Sequence, residues 1–147
     1  KEHRILHGRT PLRRIDTLSC GFPDISFHGR EAWRPDTSSV SRCMGIMYCG
    51  FYAGEDGQEN ERFFYIAVNM HWQAAYLGLP KLPKGKLWTY AASTGKEIPE
   101  IEETAASSQE ICVPGRTIVL CATKDVPVET EKNSRKKSKK NRGDEQG

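Results

Sequence analysis

From Ser41 onward the sequence runs in β-branched and aromatic stretches of about six to ten residues, each cut short by turn chemistry before a helix could form. This pattern predicts strands at about 42–52, 63–70, 73–79, 86–92, 108–113 and 116–123. The polar, glycine-bearing "AGEDGQENE" at 53–61 reads as a hairpin loop, and "PKGK" and "PGR" read as tighter turns. Short strands with short antiparallel turns and no intervening helices predict an all-β fold, an antiparallel β-sandwich or barrel of roughly 100 residues.

Alternation within the runs predicts their placement. In "FFYIAVN" Phe64, Ile66 and Val68 share one face and Phe63, Tyr65 and Ala67 the other, so both faces are apolar and the strand is expected to be central. Along "RTIVLCA" the expectation is that Ile118, Leu120 and Ala122 point inward and Thr117, Val119 and Cys121 outward. At the corner after "FFYIAVN" stands "NMHW", residues 69–72, where His71 and Trp72 either close a turn or meet a ligand.

The 147 residues can bury a sizeable core without a staple. An apolar content of 37% is low for such a chain, which places part of it outside the core. That part is the C-terminus. Residues 132–142 hold seven of the 22 Lys and Arg, and with Asp144 and Glu145 the segment from 132 carries +5 against a formal total of +3, leaving −2 for the rest. The basic character belongs to a solvated tail, expected disordered over 125–147, and nucleic acid is not an expected partner of the folded part.

Five cysteines, an odd number without C-x-x-C spacing, suit a reducing compartment, and a cytoplasmic location is expected. No apolar run approaches the ~18 residues of a membrane span. The opening "KEHRILHGR" has no initiator Met and reads as cut from something longer, its residues 1–7 compatible with the last turns of a helix ended by Gly8 and Pro11. "SCGFPDISFHGREAWRPDTS" at 19–38 combines Gly, Pro and three aromatics, the composition of an ordered loop packed by its own side chains.

Several chemistries find no support. The sequence has no phosphate-cradling glycine motif and no nucleophile elbow. His71 with Cys43 or Cys49 matches no metal-ligand spacing, and a small buried hydrophobe is the plainer reading of each cysteine, so no metal and no cofactor are expected. Glycoside cleavage needs two acids placed across the bond. Asp16, Asp24 and Asp36 lie in the N-terminal loops, and Glu97, Glu100, Glu102 and Glu103 read as an exposed acidic run.

Six segments, "KEHRILH", "SCGFPDISFHGREAWRPD", "SRCMGIMYCG", "FYIAVNMHW", "LPKLPKGKLW" and "VPGRTIVLC", together resemble the C-terminal part of a glycogen debranching enzyme of the isoamylase and pullulanase type, in the α-amylase family of glycoside hydrolases. The resemblance covers about residues 1–124. It implies that residues 1–7 end the last helix of a (β/α)8 barrel, that 8–40 cross from barrel to sandwich, and that 41–124 form the sandwich called domain C. It further implies that the catalytic acids lie on the barrel upstream, so that this chain alone is not an enzyme and its partner is that barrel.

On that resemblance "NMHW" closes a corner of domain C, with the Asn69 amide meeting turn backbone and Trp72 capping the sandwich. Sugar contact by Trp72, with Trp88 beside it as a platform, is the competing reading. In the crossing segment Asp24, His28 and Trp33 are candidates for lining an outer subsite of an α-glucan cleft; the alternative is that Phe27 and Trp33 glue barrel to sandwich.

Overall fold

The computed structural model describes residues 11–53, 62–103 and 109–127. Its strands are β1 (Ile25–His28), β2 (Cys43–Tyr48), β3 (Phe64–Asn69), β4 (Ala75–Leu79), β5 (Lys86–Ser93), β6 (Ile101–Glu103), β7 (Gln109–Val113) and β8 (Thr117–Asp125). Five of them form one sheet in the order β1-β2-β3-β8-β5, and the other three form a second in the order β4-β7-β6. Every pairing is antiparallel.

The two sheets close on one core because their strands alternate. Met47, Tyr65, Ala67, Trp88, Val119 and Cys121 of the larger sheet meet Leu77, Leu79, Ile111 and Val113 of the smaller one, all buried. Each large apolar side chain of that set contributes about 1.5–3 kcal/mol by leaving water. Tyr65 ties the layers: its hydroxyl donates to the carbonyl of Gly78 on β4 at 3.0 Å. Its ring crosses Gly45 on β2, where any Cβ would fall on the Tyr65 hydroxyl, so only glycine fits there. The Trp88 indole is buried as well and donates to the Pro80 carbonyl at 2.8 Å. Trp88 therefore belongs to the core and forms no platform with Trp72.

Each of the six expected runs contains a strand, and β3 is central as its two apolar faces imply. The faces of β8 are the reverse of the expectation. Thr117, Val119 and Cys121 are buried while Ile118 is 41% exposed. Both sets are apolar, so alternation could not choose between them. Pairing with β3 does: Thr117, Val119 and Cys121 stand opposite Asn69, Ala67 and Tyr65, the core-facing residues of that strand.

Two strands lie outside the expected runs. β1 comes from the segment read as a crossing loop, so the sheet begins at Ile25, well before residue 41. β6 comes from the acidic run; Glu97, Glu100 and Glu102 are exposed, as read, while Ile101 packs against the core. At the other end β8 runs on to Asp125, whose carboxylate accepts from Lys86 at 2.8 Å, and Val126 N–H donates to the Gly85 carbonyl. The expected helical end at 1–7 and the basic segment from 132 lie outside the described residues, as does most of the 53–61 loop.

Candidate functional site

β1 reads "ISFH" and follows Asp24, so polar residues recur at 24, 26 and 28 on the side that faces the core. Each is bound internally. The Asp24 carboxylate accepts from the N–H groups of Arg13, Arg14 and Ile25 at 2.7–2.8 Å, which anchors the incoming loop to the first strand. Both oxygens are thereby engaged by backbone, a turn-building arrangement.

His28 is fully buried. Its Nδ1 accepts from the Trp33 N–H at 2.8 Å, so in the neutral ring Nε2 carries the proton and donates to Ser26 Oγ, also at 2.8 Å. That tautomer leaves no lone pair to activate the serine, and the pair is not a nucleophilic dyad. Burial lowers the pKa of His28 to about 4. Trp33, 45% exposed and with φ of 69°, lies edge-on to the His28 ring at 4.8 Å and tilted against Phe22 at 6.2 Å. Phe22 is in turn edge-on to Phe63 at the start of β3. The segment after β1 is thus fastened down by His28 and covers the edge of β4, where Gly78 N–H donates to the Gly29 carbonyl at 3.0 Å.

Trp72 stands apart from these three, beyond Asn69 at the other end of β3. Asn69 is fully buried and organises the corner. Its Nδ2 donates to the carbonyls of Gln73, Val113 and Pro114 at 2.8–3.2 Å, and its Oδ1 accepts from His71 N–H and from the Cys43 thiol. The expected use of the Asn69 amide is what the geometry contains. Arg116 N–H donates to the His71 carbonyl, and Gly115 lies so close that a Cβ there would meet the Trp72 carbonyl. Trp72 itself is 69% exposed and stacks on the His71 ring at 4.1 Å. It does not cap the sandwich; the backbone of the corner does that, and the indole is left facing solvent.

Three further features were not singled out in the sequence. Ser26 is the partner of His28, and the 24, 26, 28 spacing of polar residues was its signal. A second cluster gathers Asp16, Cys20, Cys49 and Tyr52 under the N-terminal loop. The Asp16 carboxylate accepts from Cys20 and Gly21 N–H and from the Tyr52 hydroxyl at 2.8–3.0 Å. Desolvation opposes its ionisation, but these hydrogen bonds hold its pKa below the usual carboxylate value. Desolvation and the neighbouring carboxylate push Tyr52 up to about 12.

The third feature is the outer face of the larger sheet. The strand registers place Ile25 and Phe27 of β1, Met44, Ile46 and Tyr48 of β2, Ile66 and Val68 of β3, and Ile118 and Leu120 of β8 on it, with Leu87 of β5. Met44, Leu87 and Ile118 are each about 40% exposed, and the others between them are half-buried. Phe64 and Ala122 on the same face are buried, with Tyr48, Tyr52, Ala53 and Leu120 packed against them.

Among the described residues no group of three or more His, Cys, Asp and Glu is arranged to hold a metal ion, and no helix is long and apolar enough to cross a membrane. Compared with known proteins, the sequence matches no family model and no curated protein.

Proposed function

We propose that this chain is a non-catalytic accessory β-sandwich of an α-glucan debranching glycoside hydrolase, supporting a (β/α)8 barrel that cleaves α-1,6 branch points. The observation that carries this reading is the outer face of the five-stranded sheet. It is largely apolar, with Met44, Leu87 and Ile118 the most exposed and Thr89 and Lys124 at the β5–β8 side, and packing a second structured body against it removes that apolar surface from water. The resemblance of six segments to the C-terminal region of isoamylase- and pullulanase-type enzymes supplies the identity of that body. Asp16, Asp24 and Asp36 all receive backbone N–H groups, which suits loop construction better than proton transfer to a glycosidic oxygen.

The test is to read the coding sequence upstream of Lys1 and express whatever frame it opens. A (β/α)8 barrel there, with debranching activity that Met44→Glu with Ile118→Glu weakens by loosening barrel from sandwich, supports the proposal. A frame without a barrel overturns it.

A second reading, a self-sufficient α-glucan-binding module, draws on the exposed Trp72 indole stacked on His71, since a fixed aromatic face suits the apolar face of a sugar ring. Retarded migration in glycogen gels, abolished in Trp72→Ala, is its expected signature; unchanged migration of the unsubstituted chain removes it.

A further inference from the structure

The outer face of the larger sheet is bordered by charge of one sign. Lys124 continues the outward series Ile118, Leu120 and Ala122 of β8 and stands opposite Leu87. Carried two residues past the Phe64–Ala122 pair, the β3–β8 register sets Arg62 opposite Lys124, and the bond from Thr123 N–H to the Phe63 carbonyl continues that ladder. At the foot of β2 the Arg42 carbonyl accepts from Met70 N–H, which puts these two residues next in line after the outward pair Met44 and Val68. Arg14 holds its guanidinium over the ring of Phe27 on β1, 5.8 Å from the ring centre. All four cations are exposed, and no outward position in the five strands carries an Asp or Glu. Among the described residues the ion pairs are Arg30–Glu110, Arg34–Glu31 and Lys86–Asp125, so none of these four charges is taken by one.

We propose that this face receives a protein surface that is apolar along its middle and acidic along its margins. The inference rests on the accessory reading above, in which that surface belongs to the barrel, and adds the chemistry of the joint. In the middle Met44, Val68, Ile118 and Leu87 lose their water to the partner's apolar side chains. At the rim, carboxylates set over Arg14, Arg42, Arg62 and Lys124 form charge-assisted hydrogen bonds that steer the approach and fix its register. Charge decides against two other occupants. A second copy of this chain on the same face would bring like charges together, and the segment 132–142, with seven Lys and Arg and no acid, would be repelled in the same way. Shape decides against a bilayer. Met44, Leu87 and Ile118 are each about 40% exposed on a pleated face and do not project, whereas a membrane surface takes an apolar face that reaches roughly 5–10 Å into it.

The test uses protein expressed from the whole reading frame. A carbodiimide joins a lysine ammonium to a carboxylate in direct contact, and the joined peptides are identified by mass spectrometry. The expected links run from Lys124, and in the charge-preserving variant Arg42→Lys from position 42 as well, to Asp or Glu side chains encoded upstream of Lys1. Adding Met44→Glu and Ile118→Glu, which put acids into the apolar middle, removes both links. Absence of links from both positions, links made only to acids of the 147 residues themselves, or links between two copies overturn the proposal. So does sedimentation of the chain with vesicles of equimolar phosphatidylserine and phosphatidylcholine that Arg42→Glu with Lys124→Glu abolishes, since the face would then serve a bilayer. The two readings fail separately. An upstream body that is joined at both positions but is no barrel leaves this inference standing and removes the accessory role, whereas a barrel joined at neither removes this inference alone.

Discussion

Among the described residues two His–Trp pairs are treated by the fold in opposite ways. His28 and Trp33 face inward: the imidazole is sealed, both ring nitrogens are used, and the indole lies edge-on above it. His71 and Trp72 are adjacent in sequence and stack face to face outside the core, with the indole mostly in water. In the first pair the histidine holds a loop. In the second the His71 Nδ1 accepts from Gln73 N–H at 3.1 Å and the ring backs the indole, while the corner depends on Asn69 beneath. The same residue types therefore mark a buried fastening in one place and an exposed turn with a free indole face in the other.

The sharpest way to break the contrast is to remove the buried amide. Asn69→Ala leaves the carbonyls of Gln73, Val113 and Pro114 and the His71 N–H without their partner, and stability falls by at least about 3 kcal/mol in urea titrations. An effect under about 1 kcal/mol shows that water replaces the amide and that the corner is held elsewhere.

Acid tests the buried histidine. The folded-state pKa of His28 lies below the ordinary 6.5, at about 4, so the unfolded chain binds more protons between those values. The contribution of neutral His28 is whole above pH 6.5, declines as pH falls towards 4 and is then constant, for a total of about 3 kcal/mol. Denaturation midpoints across that window check it. His28→Gln flattens this part of the profile.

Smaller effects follow. Gly115→Ala pushes a methyl into the Trp72 carbonyl and costs about 2 kcal/mol as the corner shifts, measured by urea midpoint. Trp33→Ala costs about 1 kcal/mol by uncovering His28 and Phe22. Trp72→Ala changes stability by less than about 0.5 kcal/mol, because the ring is exposed and only its backbone is built into the corner. Loss of stability larger in Trp72→Ala than in Trp33→Ala would reverse the assignment.

The strands with apolar inner faces were legible from periodicity alone, whereas the role of Asn69 was expected from the resemblance, which puts "NMHW" at a corner. β1 was hidden because its inward residues are Ser26 and His28 in a stretch flanked by Gly and Pro, and a polar inner face looks like a loop until partners are found. β6 was hidden by its three-residue length and its glutamates. The reversed faces of β8 show the limit of alternation: where both sides are apolar, only the neighbour strand decides. For the candidate residues, the sequence marked His28 and Trp33 as worth attention but could not supply Ser26 Oγ or the Trp33 N–H as the ligands of the ring, since those depend on how the chain turns after Gly29.

The strap formed after Gly29 has a meaning for self-assembly. β4 ends its sheet, and an open sheet margin invites a foreign strand to hydrogen-bond along it. Here the Gly29 carbonyl has taken the Gly78 N–H, and the backbone of Glu31 and Ala32 presses on Gly78 so closely that no side chain fits between. The polypeptide thus blocks its own margin against fibrillar growth.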